Sequence, residues 1–83
     1  MQIHLRYFAS VRETLGRANE ELSTQATTLA AVRDELIARG APYADALARG
    51  RAVRMALDQV MSDEDAELHE GCEVAFFPPV TGG

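Results

Sequence analysis

The stretch TTLAAVRDELIARG, Thr27 to Gly40, sets the strongest limit on the fold. Leu29, Val32, Leu36 and Ile37 recur at helical spacing and make one apolar stripe. Thr27 or Thr28 can cap the first turn, and Glu35 and Arg39 stand i,i+4 in the favourable order. Gly40 suits a left-handed residue after the last turn, and Pro42 stops continuation. The sequence on either side alternates as strands do. One main helix has one apolar stripe, so it covers one face of a small sheet.

The flanking segments fill in that sheet. In MQIHLRYF, Ile3, Leu5 and Tyr7 point one way, and His4, Arg6 and Phe8 the other. ASVRETLGR reads as a short helical turn, with Ser10 placed to cap it and Gly16 to end it. Ala18 to Ser23 is a second, weaker strand. PYADALARG adds a short turn ending at Gly50. Val53–Leu57 and Val60–Met61 are strands about an Asp58-Gln59 turn, and Glu70-Gly71 turns into a last strand from Cys72 to Phe77. Pro78 and Pro79 donate nothing to a ladder, so pairing ends there. The expected fold is α+β: a mixed four- to five-stranded sheet with one main helix on one face, in the ββαββ order of the ubiquitin-like β-grasp. There the first and last strands lie side by side. Val74 and Phe76 then face the helix. Phe8 and Phe77 share the uncovered face, where paired aromatics suit a protein interface.

Composition narrows the function. At 83 residues the chain is one small domain, expected as a β-grasp unit over 1–77 and an extended tail over 78–83. Thirteen acidic residues against eight basic ones, all arginine, leave a net charge of −5, which argues against a nucleic-acid partner. Cys72 is the single cysteine, no apolar run approaches a membrane span, and the N-terminal strand lacks a signal-peptide core. These point to a cytoplasmic address and no membrane partner.

The ending FFPPVTGG has its own logic. Pro78 to Gly83, extended, reach roughly 20 Å at about 3.3 Å per residue. Prolines stiffen the base, glycines thread narrow channels, and a carboxylate sits last. A carboxylate needs activation before it can transfer an acyl group. The chain has no P-loop and no G-x-G-x-x-G, so ATP would be bound by a partner and no cofactor by this chain.

YFASVRETLG, Tyr7 to Gly16, and EVAFFPPVTGG, Glu73 to Gly83, are similar to the two motifs of the molybdopterin synthase small-subunit family, the ubiquitin-like sulfur carriers of molybdenum cofactor biosynthesis. The element order and length agree along the whole chain. The resemblance implies that a ubiquitin-activating-like adenylyltransferase adenylates the Gly83 carboxylate. A sulfur-donating enzyme then converts it to a thiocarboxylate. Pro78, Pro79, Val80, Thr81 and Gly82 enter the large synthase subunit, which holds the catalytic side chains. Sulfur passes there to cyclic pyranopterin monophosphate. The resemblance also implies a heterotetramer of two small and two large subunits, with Phe8, Arg12, Met61 and Phe77 at the partner surface.

Other constellations are weaker. His69 and Cys72 have H-x-x-C spacing, but no third or fourth ligand stands out, so no metal is expected. Glu70 and Glu73 flank Cys72 and blunt its suitability as a sulfur carrier. His4 reads as a surface or interface residue, Asp63 to Glu67 as a solvated acidic loop, and Arg12-Glu13 as a local or inter-chain ion pair, with Arg12 either a solvated surface charge or a partner contact. The alternatives are sulfur carriage for thiazole or tRNA thiolation, a ubiquitin-like modifier, and an interaction module with an inert tail.

Overall fold

The computed structural model describes residues 1–79. The elements are β1 (Gln2–Tyr7), α1 (Ala9–Leu15), β2 (Asn19–Ser23), α2 (Leu29–Ile37), α3 (Tyr43–Leu47), β3 (Arg54–Leu57), β4 (Val60–Met61) and β5 (Glu73–Phe77). The five strands form one sheet in the order β2-β1-β5-β3-β4. β1 and β5 pair in parallel, with Leu5 beside Val74 and Tyr7 beside Phe76, and the other pairings are antiparallel. The first and last strands are thus neighbours within the sheet, the β-grasp order expected from the sequence.

Strand alternation decides what is buried. Ile3, Leu5, Tyr7, Val74 and Phe76 are each at most 1% exposed. They pack with Val11 and Leu15 of α1, Leu29, Val32 and Leu36 of α2, and Ala46 and Leu47 of α3 in one core. Each large side chain so buried contributes about 1.5–3 kcal/mol. The Tyr7 and Phe76 rings stack at 5.9 Å between centroids. All three helices feed this core, so the helical layer is a main helix extended by two short ones.

The punctuation follows the sequence in most places. Thr28 caps α2 and its side chain accepts from the Ala31 N–H; Gly16 ends α1 at φ 75°. Asp58 and Gln59 both have positive φ, as a two-residue hairpin turn between twisted strands requires.

Two local expectations fail, and a third is incomplete. Ser10 does not cap α1: the cap position is Phe8, which offers no side-chain bond, and Ser10 lies inside the helix. Glu35 and Arg39 do not pair, because each finds a partner off the helix. Glu35 accepts from the Thr24 hydroxyl and Arg39 donates to Glu20. The acidic stretch Asp63 to Glu67 is a strap across the start of α2 as well as a surface. The Glu64 and Ala66 carbonyls accept the N–H groups of Ala30 and Leu29, which a helix leaves unpaired at its first turn.

Glu20 joins β2 to the helices. Its Oε2 accepts from Tyr7 Oη at 2.8 Å and Tyr43 Oη at 2.6 Å, and its Oε1 from Arg39 at 3.2 Å. Burial alone would raise this carboxyl, but the hydrogen bonds from Tyr43, Tyr7 and Arg39 outweigh it and hold it below its ordinary value. A carboxyl lowered by folding stabilises the fold above its unfolded value of about 4.5, and that contribution is lost as pH falls through the lower folded value. Glu20→Gln is expected to cost about 1–3 kcal/mol at neutral pH. Thermal melts from pH 7 to pH 3 will show a smaller acid-side loss for the variant than for the parent; parallel curves would remove Glu20 from this role.

Candidate functional site

The open face of the sheet is built by the same alternation that fills the core. Tyr7 points to the helices, so the next residue, Phe8, points away; its N–H continues the ladder by donating to the Phe76 carbonyl at 3.1 Å. The chain then reverses at Ala9, whose φ is 49°, a left-handed conformation costly for a residue with a Cβ. That turn folds α1 back under the sheet and leaves Phe8 39% exposed. On β5, Phe77 is the open-face residue beyond Phe76, and on β4, Met61 lies beside Ala56. Phe8, Met61 and Phe77 surround Ala56 and Ala75 in one shallow apolar depression. The two alanines are below 8% exposed although they face away from the core, because the larger side chains cover them.

Charge rims this patch. Arg6 lies over the Phe8 ring at 5.2 Å and sits 3.8 Å from Glu73, and both line the depression with Gln59. Arg12 is exposed on α1, is not among the residues lining the depression, and makes no ion pair among the described residues, with Glu13 or otherwise. Of the four surface residues named from the sequence, the structure brings three together and leaves Arg12 on the adjoining helix. Arg6, Gln59, Glu73 and the two alanines were not among the expected contact residues. The period-two pattern that placed Phe8 and Phe77 also places Arg6 and Ala75.

A second feature lies where β5 ends. Phe77 is opposite Arg54, the first residue of β3. Past this pair, Pro78 and Pro79 run on from β5, half-buried, and line a groove with Ser10, Val11 and Thr14 of α1, Ala46 of α3, and Arg51, Ala52 and Val53 ahead of β3. The root of the C-terminal segment therefore leaves the sheet between α1 and the segment ahead of β3. Val80, Thr81, Gly82 and Gly83 lie outside the described residues.

The remaining candidates are structural. Cys72 is 1% exposed and packs in the core. His4 is exposed 3.3 Å from Glu21, and His69 is exposed 3.0 Å from Asp58. No group of three or more metal-ligating side chains occurs among the described residues. No helix among them is long and apolar enough to cross a membrane.

With this geometry in hand, relatives place the chain. The model of the ThiS family matches residues 5–83. The molybdopterin synthase sulfur carrier subunit of Escherichia coli K12 is 40% identical over 81 residues, 98% of this chain and 99% of its own. The crystal structure of SAMP1 from Haloferax volcanii superposes with a TM-score of 0.77 at 19% identity over the whole of both chains. The complex of subunits 1 and 2 of molybdopterin-converting factor from Helicobacter pylori matches with a TM-score of 0.68 at 23% identity, again over both chains entirely. At these identities the structural likeness establishes the fold, the ubiquitin-like β-grasp.

The Phe8–Ala9 turn gives a direct check on this geometry. Glycine adopts φ near 49° without a steric penalty. Ala9→Gly is expected to leave stability unchanged or raise it by up to about 1 kcal/mol, whereas Ala31→Gly, inside α2, costs about that much. Equal losses at Ala9 and at an ordinary helical position, measured by denaturant titration, would contradict the turn.

Proposed function

The chain belongs to the ThiS family and, within it, to the molybdopterin synthase sulfur carrier subunits, and from that premise we propose that its working group is the carboxylate of Gly83. The observation that carries this reading is the match along nearly the whole chain, which in the family model runs to residue 83. The reading is a four-step cycle. The Gly83 carboxylate attacks ATP on an adenylating partner, pyrophosphate leaves, and an acyl-adenylate forms. A sulfide-level sulfur from a donor enzyme displaces AMP and leaves a thiocarboxylate. The tail, Pro78 to Gly82, carries that group into the large synthase subunit. Sulfur passes to cyclic pyranopterin monophosphate, water supplies the oxygen that replaces it on the Gly83 carbonyl carbon, and the carboxylate returns for another round.

The division of labour fits the geometry. Tyr7 and Glu20 are engaged inside the fold and Cys72 is sealed in the core, and this reading assigns the catalytic side chains to the large subunit. This chain supplies the transferred group and a docking face. Phe8, Met61 and Phe77 are the contact residues on that face, with Arg12 at its margin. An apolar centre with a charged rim supports a protein partner. ATP is bound by the adenylating enzyme in this scheme, and no cofactor by the carrier. The large subunit is the partner proposed for the open face.

Two changes test the scheme. One residue added after Gly83 is expected to abolish molybdopterin formation with the large subunit while leaving the melting temperature unchanged; full activity of an untrimmed extended chain would sink the proposal. Phe77→Ser is expected to weaken binding of the large subunit by about tenfold or more, measured by calorimetry. Unchanged affinity in the folded variant would move the docking face elsewhere.

A further inference from the structure

Among the described residues Arg33 on α2 is the one charged residue that is buried, at 3% exposed, and nothing in the cycle above uses it. Its Nε donates to the Leu47 carbonyl at 2.7 Å. One terminal nitrogen donates to the Ala48 carbonyl at 2.9 Å and the Arg51 carbonyl at 3.3 Å, and the other lies 3.5 Å from Glu64. Burying a guanidinium is costly, and an apolar side chain could fill the space without that cost. The planar fork does what an apolar group cannot: it ties the Leu47 carbonyl at the end of α3, and the Ala48 and Arg51 carbonyls of the irregular segment that follows, to a helix.

That segment leads directly to the root of the tail. Residues 48–53 have no helix or strand of their own, and they enter β3 at Arg54, the partner of Phe77. Beyond this pair Arg51, Ala52 and Val53 form one wall of the groove that Pro78 and Pro79 also line. The prolines have no N–H, so no ladder bond from them can hold the departing chain. Its direction depends on packing, and the wall it packs along is held from beneath by Arg33.

We infer that Arg33 is a positioning residue for the transfer chemistry: by holding the Ala48 and Arg51 carbonyls it fixes the wall along which Pro78 and Pro79 leave the sheet, and so aims the C-terminal segment at its partners. The inference rests on the reading of Gly83 as the transferred group. It assigns a role to a side chain that touches neither the docking face nor the reacting atoms.

The test uses the full chain with its adenylating enzyme, ATP and a sulfide source. Arg33→Lys keeps the charge but loses the fork, and Arg33→Met removes both. Leu22→Ala, a core change on β2 away from the groove, is the control for lost stability. All are assayed at a temperature where circular dichroism shows them fully folded. Both Arg33 variants are expected to slow thiocarboxylate formation at saturating enzyme by about ten- to a hundredfold, as misplacing a reacting group does. Their affinity for the large subunit through the open face should stay within about twofold of the parent, and Leu22→Ala should keep the parent rate. Amide hydrogen exchange at Arg51, whose N–H donates to the Ala48 carbonyl at 2.8 Å, is expected to speed up in the Arg33 variants alone. If Arg33→Met does not fold, Arg33→Lys decides the matter. Folded Arg33 variants that react at the parent rate would overturn the inference alone. A parent chain that forms no thiocarboxylate would overturn the proposed function and this inference with it.

Discussion

The parallel pairing of β1 with β5 is the contact on which the rest depends. Parallel neighbours cannot be joined by a tight turn, so everything between them must lie on the crossover. Here the crossover carries three helices and both hairpin partners, β2 beside β1 and β3-β4 beside β5. The Tyr7 and Phe76 rings lie against each other on that central pair, at the middle of the core. Because the last strand is an inner strand, the chain leaves the sheet from within rather than from an edge. The tail root is then flanked on both sides, by α1 and by the segment ahead of β3.

The two faces of the sheet carry different surfaces. One face carries the aliphatic and aromatic core under the helices. The other carries a few large apolar side chains over two alanines, edged by Arg6 and Glu73. In the proposed function, a change on the first face acts through folding, and a change on the second acts through binding of the large subunit. Arg33 belongs to neither face. It works at the seam, where a buried charge holds an irregular segment in place.

Much of this was legible in the sequence because it is periodic or punctuated. Alternation in MQIHLRYF and EVAFF sorted Ile3, Leu5, Tyr7, Val74 and Phe76 to one face and Phe8 and Phe77 to the other. Thr28 and Gly16 announced helix ends, and Asp58-Gln59 announced a turn. The less legible parts depend on distant residues. α1 and α3 have seven and five residues, below the length at which a helix stands alone, so tertiary packing sustains them. The Glu35–Arg39 spacing rule gave way to Thr24 and Glu20, brought in by β2 and the loop after it. Nothing in the helical pattern singles out Arg33. Its acceptors at 47, 48 and 51 come close only once α3 has packed against α2. Met61 entered through resemblance, and only the β4 pairing places it beside Phe8 and Phe77.

The central claim is that the chain works through the chemical state of its last residue. Intact-protein mass spectrometry of the full chain, before and after incubation with an adenylating enzyme of this class, ATP and a sulfide source, tests it most directly. The account predicts replacement of one oxygen by one sulfur, mapped by fragmentation to Gly83. An unchanged mass with an enzyme shown to be competent on another carrier, or sulfur mapped to Cys72, would contradict it.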